Sequence, residues 1–394
     1  MRREAEVLVA GGGAAGAAAA LLLARADRRV VLFDRRRPDT PAPNADFDPR
    51  VVALSPGSVR ILEAVGAWER IDPARVAPYS RMQVHAQDWS VRFSAGEHGL
   101  EYLGWIVEVP ALQHALWQAL DDSATATVMA PDGVSGHESG RGRVRVRLES
   151  AQTVRAQVLV AADGARSRLR RRAGIATEQW HYNQHALVTH VATERPNPGV
   201  AWQRFTEHGP LALLPLPDGR SSIVWSLPSN RAAALRDLDD PAFLAELDAS
   251  QDSPFGSVTS ATRRYTFPLI RRRSLGLVAG RTVLLGDAAR TVHPLAGQGL
   301  NLGLADAAAL AEVYSESDID RSLAHYERWR LSAGTVMAGG IHAINELSAG
   351  GNPGRRLMGA GFGLVGRAWP LRELFVRRAC GIDSDAPALA RGGP

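Results

Sequence analysis

The chain contains no lysine; all 46 of its basic residues are arginines, which reads as compositional bias rather than as a signal of function. It has a single cysteine, Cys380, so no intrachain disulfide can form, and a reducing compartment fits. One cysteine and no clustered ligand spacing leave no basis for a metal site or for nucleophilic-triad chemistry. Apart from the uncharged run Val7 to Ala24, no stretch approaches the length of a membrane span. Charge of one sign is also scarce. The net charge is only +5 over 394 residues, and no nucleic-acid-binding motif accompanies it. Nucleic acid is therefore not an expected partner, while a mild attraction to anionic membrane surfaces is. What remains is an ordinary globular composition, 45% hydrophobic and 22% charged, long enough for two domains.

The most informative stretch is Gly286-Asp287-Ala288-Ala289-Arg290-Thr291-Val292-His293-Pro294-Leu295-Ala296-Gly297-Gln298-Gly299-Leu300-Asn301-Leu302-Gly303. A buried strand, Thr282–Leu285, is expected before it and an alanine-rich helix, Leu304–Tyr314, after it. A Gly-Asp pair closes the strand, a proline bends the loop and glycines open the helix. A helix start offers unpaired N–H groups and the positive end of the dipole, where anionic groups settle.

The N-terminus carries a second such turn. Glu6–Ala10 reads as a strand, Ala17–Ala26 as a helix and Arg29–Phe33 as a second strand ending in Asp34. Between them, Gly11, Gly13 and Gly16 satisfy G-x-G-x-x-G. These glycines allow a tight turn, close approach of a pyrophosphate and close helix packing. Asp34 lies where a carboxylate meets a ribose. Arg2 and Arg3 ahead of an uncharged run imitate a secretion signal, but the run makes sense only as the opening of this motif. A third turn, Asp163-Gly164, follows the buried strand Val158–Ala161.

Between the turns, Ser55 and Pro56 open a helix, with Arg50 ahead of it either meeting a phosphate or merely solvated. Met82–His85 and Ser90–Phe93 form a hairpin, and Ala111–Leu120 a helix carrying Gln113. From Ile175 to Leu269 short strands dominate: Leu187–Thr193, Ala201–Phe205, Leu211–Leu216 and Ser222–Leu227. Pro241 splits a helical stretch, Arg231–Leu247. Trp180, Tyr182, Trp202, Phe205 and Trp225 either wall a pocket or fill a core. Leu310–Leu331 and Val336–Leu347 have helical periodicity.

On these residues, together with Arg204-Phe205-Thr206, Gly209–Leu216 and Arg50–Ser55, the sequence resembles the class A FAD-dependent aromatic hydroxylases of the para-hydroxybenzoate hydroxylase fold. Within them it is most similar to the ubiquinone-biosynthesis hydroxylases, in particular the 2-polyprenyl-6-methoxyphenol branch. The resemblance covers nearly the whole chain. It implies an α/β fold: a Rossmann-like FAD-binding domain, an inserted, mainly antiparallel β-sheet substrate domain and a helical C-terminus. The expected parts are 1–174 with a substrate-side insertion near 80–108, then 175–270, 271–348 and 349–394. It implies FAD, NAD(P)H as co-substrate, O2 and a polyprenylated phenol, joined through a flavin C4a-hydroperoxide. The FAD-binding residues it implies are Gly11, Gly13, Ala14, Ala15, Gly16, Asp34, Arg35, Arg50, Gln113, Asp163, Gly164, Gly286, Asp287, Pro294, Gly297, Gly299, Leu300 and Asn301. His293 and Pro294 are expected to line the flavin. No catalytic side chain and no metal is implied.

The chain departs from this family at two places. Arg290 stands where relatives commonly carry histidine, and Val109-Pro110 where many have Asn-Arg. Three other readings stay open: a halogenase of the same fold, a prenyl-chain reductase of the same fold, or a flavin-poor scaffold of a membrane-associated complex. The expected location is cytoplasmic. An insoluble substrate leaves two routes open: peripheral contact with the inner face of the membrane, or other ubiquinone-biosynthesis proteins. After Pro370, Leu371, Leu374 and Phe375 share one helical face, and Arg372, Arg377 and Arg378 supply the charge for an anionic surface. The alternative is a face packed on the protein's own core.

Overall fold

The computed structural model describes residues 5–42, 45–86, 89–140, 142–292, 297–314, 318–349, 359, 361 and 368–393. His293 and Pro294 lie outside them. Two large sheets organise the chain. The first has six strands in the order Val278–Ala279, Thr282–Leu284, Val158–Ala161, Val7–Ala10, Val30–Phe33 and Ala126–Met129. All neighbours are parallel except the first pair. Val7–Ala10, Val30–Phe33 and Val158–Ala161 are buried at every position, as strands covered on both faces must be.

Register brings the three turns together. Ala10 pairs with Ala161, and Ala161 with Leu284. The chain therefore leaves three adjacent strands at the same edge of the sheet, into the glycine loop, the Asp163-Gly164 turn and the Gly286-Asp287 turn. Ligands of parallel α/β sheets bind at such an edge. The first helix, Ala14–Arg25, begins three residues before the expected Ala17, directly from Gly13. It packs against the helix Gln298–Tyr314. Small residues make this approach possible. A Cβ built on Gly286 or on Gly303 would lie 3.1 Å from the Cβ of Ala15.

The helix boundaries after Gly303 differ from the periodicity reading. The helices are Gln298–Tyr314 and Ile319–Ala349, so Leu310–Leu331 spans two of them. Asp318 starts the second helix, its carboxylate accepting the Arg321 N–H at 3.2 Å. Periodicity alone cannot register a break when the apolar phase resumes after it.

The second sheet has nine strands. Its main order is Arg290–Thr291, Tyr265–Ser274, Thr177–Thr193, Ser221–Pro228, Gly209–Pro215, Val200–Thr206, Arg81–His85 and Ser90–Ser94. Val258–Ala261 pairs with Thr177–Thr193 off this path. The hairpin Arg81–Ser94 thus joins the later strands, through a parallel pairing with Val200–Thr206. Side chains alternate across this sheet. Trp202, Leu211, Leu213, Ile223 and Trp225 point to one face, where Phe243 and Leu247 of the helix Asp240–Ser250 seal them in a core. Pro241 opens that helix at its first turn instead of kinking a longer one.

A buried ionic group ties an edge strand of the second sheet to the helices Gln298–Tyr314 and Ile319–Ala349. Asp306 is fully buried and takes both Arg290 Nη1, at 2.7 and 2.9 Å, and Arg330 Nε, at 2.7 Å. Arg290 Nη2 also donates to the Arg330 carbonyl at 3.1 Å. The second oxygen of Asp306 faces the Gly286 amide at 3.4 Å. Tyr326, also buried, donates its hydroxyl to the Leu284 carbonyl at 2.9 Å. A side chain at Gly334 would meet Arg290 Nε at 2.5 Å, so that glycine is what lets the guanidinium in. Removing one member of a buried pair strands the others' charge. Asp306→Ala should therefore lower the unfolding free energy by about 3–5 kcal/mol, read from urea denaturation. A loss below about 1 kcal/mol would mean that the group behaves like a surface pair.

Candidate active site

The three turns open on one cavity of about 600 Å³, which runs from the first sheet across to the second. Gly13, Ala14, Ala15, Gly16, Gln113, Gly164, Gly286, Asp287, Gly297, Gly299 and Leu300 all line it. Its first half is built from backbone. The helix Ala14–Arg25 has no side-chain cap and no acidic residue in its first turn, so its leading N–H groups are not taken by the protein's own side chains. The helix Gln298–Tyr314 begins on the same cavity, again with no acidic residue in its first turn. Two helix N-termini thus face one space, an arrangement that suits a ligand with two electron-rich ends.

The motif glycines divide by role. A Cβ on Gly16 would fall on the Gly11 carbonyl, and one on Gly11 on the Ala162 carbonyl; Gly11 also sits at φ +111°. These two serve packing and the turn. A Cβ on Gly13 meets no protein atom within 4 Å and projects from a residue that borders the cavity. That is the cradle a pyrophosphate requires. The loop is clamped from behind. Asp34 accepts the Gly12 N–H at 2.6 Å, while Trp117 Nε1 and Gln113 Nε2 donate to the Gly12 carbonyl at 2.7 and 3.2 Å.

Arg170 joins the other two turns. It is buried, donating to the Ala165 carbonyl at 3.2 Å and to the Ala288 carbonyl at 2.7 Å. Asp163 caps the short helix Arg168–Arg172, accepting the Arg168 and Leu169 N–H groups at 2.8 and 3.2 Å. Its other oxygen is buried with no partner among the described residues. Asn301 does not line the cavity. Its side chain ties the helix start to the strand Val51–Leu54, accepting from Ser55 N–H at 2.9 Å and donating to Ala53 and Gly297 carbonyls at 2.8 and 3.1 Å. Arg35 and Arg50 are also placed away from the cavity. Each guanidinium is paired at the surface with a carboxylate, Glu149 at 2.9 Å and Asp48 at 3.0 Å respectively.

The second half of the cavity is carbon-rich. Ala201, Pro210, Ala212, Leu214 and Val224 form a floor of small and mid-sized side chains, with Gln203 and Ser226 as its polar members. Trp202 and Trp225 belong to the opposite face, and Phe205 packs on Val84. Core filling is therefore where Trp202, Phe205 and Trp225 go. Trp180 is instead half exposed.

Titratable groups are few here. Among the described lining residues they are Asp287, Tyr79 and Cys380. Burial raises the Tyr79 phenol above its usual range and pushes the Cys380 thiol up to about 12. Both stay protonated at neutral pH, so Cys380 is no nucleophile. Asp287 borders the cavity and is itself exposed. Desolvation raises its carboxyl pKa, and the positive charge of Arg272 acts in the opposite direction.

Known proteins similar to this chain give its family. Residues 4–338 match the family described as FAD binding domain. The 3-demethoxyubiquinol 3-hydroxylase of Escherichia coli is 33% identical over 386 residues, 96% of this chain and 98% of that protein. The ubiquinone hydroxylase UbiL of Rhodospirillum rubrum is 32% identical, covering 99% of this chain and 93% of that one. The crystal structure of pqsL, a probable FAD-dependent monooxygenase from Pseudomonas aeruginosa, superimposes with a TM-score of 0.76. It is 24% identical and covers 91% of this chain and 99% of its own.

Two outcomes follow for FAD. Gly13→Val should fold with the melting temperature of the wild-type apoprotein yet purify colourless, whereas Gly16→Val should fail to fold; a yellow Gly13→Val protein would place the diphosphate elsewhere. Asp287 has a folded pKa above its unfolded one. Its favourable contribution is therefore present below the unfolded pKa and is lost as pH rises through the folded pKa. Asp287→Asn should make the apoprotein melt higher than wild type at neutral pH, with the gap closing on acidification, while weakening FAD.

Proposed function

This chain belongs to the FAD-dependent monooxygenase family, with ubiquinone-biosynthesis hydroxylases among its relatives, and on that premise we propose that it hydroxylates the aromatic ring of a polyprenylated phenol in ubiquinone biosynthesis, with NAD(P)H and O2 as co-substrates. The observation that carries this reading is the cavity itself: a backbone-lined half bordered by the glycine loop, continuous with an apolar floor.

The residues fit FAD. The N–H groups of Gly13 to Gly16 would hold the diphosphate, with Gln113 and Asp34 keeping their loop in place. Asp287 would meet the ribityl side, and the backbone of Gly299 and Leu300 the pyrimidine end. Bound FAD supplies the redox and oxygen chemistry. The chain's own residues bind, orient and exclude water. The small side chains of Ala201, Ala212 and Val224 leave room for a flat ring. The Gln203 amide and the Ser226 hydroxyl are the groups on that floor able to hydrogen-bond a phenol oxygen. The Tyr79 hydroxyl remains neutral and would be available as a donor. The dipole of the helix Gln298–Tyr314 favours negative charge at its start.

The purified protein should carry oxidised flavin absorbance. NAD(P)H oxidation should accelerate on adding a prenylated phenol, and labelled O2 should deliver one labelled oxygen to the ring. Halide-dependent turnover would point to a halogenase instead, and reduction of a prenyl double bond to a reductase.

A further inference from the structure

The cavity has one wall that also belongs to the surface. In the helix Trp369–Ala379, the side chains of Phe375, Val376 and Ala379 line the cavity. The same helix exposes Trp369 (53%), Leu371 (43%), Leu374 (58%) and Phe375 (38%). Seven large hydrophobics are exposed among the described residues, and four of them are on these seven consecutive positions. Phe375 is common to both sets. Its ring stacks on Phe93 at 5.6 Å, and Phe93 is itself a buried cavity residue. A pair of aromatic rings therefore separates the cavity from an apolar ridge.

We infer that this helix seats the protein on a phospholipid bilayer and that the Phe93–Phe375 pair is the port through which an apolar substrate tail leaves the cavity for the lipid. The inference rests on the prenylated-phenol reading for its ligand. Volume supports it: a space of about 600 Å³ suits one drug-sized ligand. A flavin and a ring would take up much of that space, so a long tail would extend beyond it. The ridge begins where the cavity ends, so the tail passes from one apolar environment to another.

The helix is held from its polar side. Arg372 pairs with Glu97 at 2.6 Å, Arg377 with Glu373 at 3.7 Å and Arg378 with Asp383 at 3.8 Å. Glu373 also meets His98 Nδ1 at 2.5 Å, and the His98 ring stacks on Trp369 at 5.2 Å. The arginines that the sequence offers for an anionic surface are thus already engaged with the protein's own carboxylates. Docking is driven by apolar burial rather than by charge.

The test is flotation of the full-length holoprotein with vesicles of pure phosphatidylcholine and of phosphatidylcholine with phosphatidylglycerol, each at low and high salt. The protein should float in all four conditions. The double variant Leu371→Ser and Leu374→Ser changes only exposed side chains outside the cavity. It should keep its FAD and bind vesicles at least about a hundredfold more weakly, each buried leucine being worth about tenfold. Failure of the wild type to float, flotation only with anionic vesicles at low salt, or equal flotation of the variant would overturn docking. So would a variant that changes oligomeric state instead, which would mark the ridge as a contact between copies. For the port, Phe375→Ala should change KM for a vesicle-borne long-tailed phenol about tenfold more than it changes KM for a tail-less one. Equal effects on both phenols would overturn the port. Flotation does not depend on turnover, so a protein that floats but hydroxylates no phenol refutes the substrate reading and leaves the docking surface standing.

Discussion

Asp306 is the interaction on which the active-site edge of this protein depends. Its carboxylate has no access to water and holds two guanidiniums, from Arg290 and Arg330. Through them it joins three elements that follow one another in the chain: the strand after Asp287, the helix that opens at Gln298 and the long helix Ile319–Ala349. Burying three charges gives little net stability compared with well-packed carbon. What it fixes is position. The Gly286 amide and the Arg330 carbonyl are held relative to one another, and the turn carrying Asp287 has one place to go. A histidine at position 290 would offer only two nitrogens, whereas this arginine reaches the carboxylate and a carbonyl together.

The two halves of the cavity solve opposite problems. A diphosphate needs dipoles and close backbone approach, so its half is made of glycines, alanines and helix starts. A ring needs empty space over a firm surface, so the other half is a sheet with bulk on its far side and small side chains on its near side. Trp202 and Trp225 stiffen that floor from beneath without entering the site. Asp287 lies at the junction, where desolvation works against its carboxylate and the positive charge of Arg272 offsets part of that. Residues kept at such a cost to the fold mark sites of function.

The nucleotide half was legible in the sequence because its chemistry is local. Glycines at fixed spacing, a strand before and a helix after are contained within a few dozen residues, and the same holds for Gly286 to Leu300. The partners that make those loops rigid were not legible. Trp117 reaches the Gly12 carbonyl across 105 positions, and Arg170 reaches Ala288 across 118. Nothing near Trp117 or Arg170 in the sequence announces such a contact, because register and crossovers create it. Arg35 and Arg50 illustrate the converse. A guanidinium has many possible partners, and Glu149 and Asp48 are defined only once the chain has folded. In the second sheet, alternation identified the strands but could not say which face was core, since that is decided by the helices Ser229–Asp237 and Asp240–Ser250 packing on one side. The exposed face of the C-terminal helix was visible as a pattern; its carboxylate partners, Glu97 and Asp383, were not.

Gly334 gives this chain a particular evolutionary lock. Arg290 occupies the volume that any side chain at position 334 would need. An arginine at 290 is thus admissible only on a glycine background, and a larger residue at 334 only after the arginine has gone. The two positions cannot drift independently. A change from arginine to histidine at 290 must also leave Asp306 with Arg330 as its remaining guanidinium, and it opens space beside a glycine within a helix, where glycine is otherwise disfavoured. Homologues should therefore sort into two groups, arginine with glycine and histidine with a larger residue, with the mixed combination of arginine and a larger residue absent.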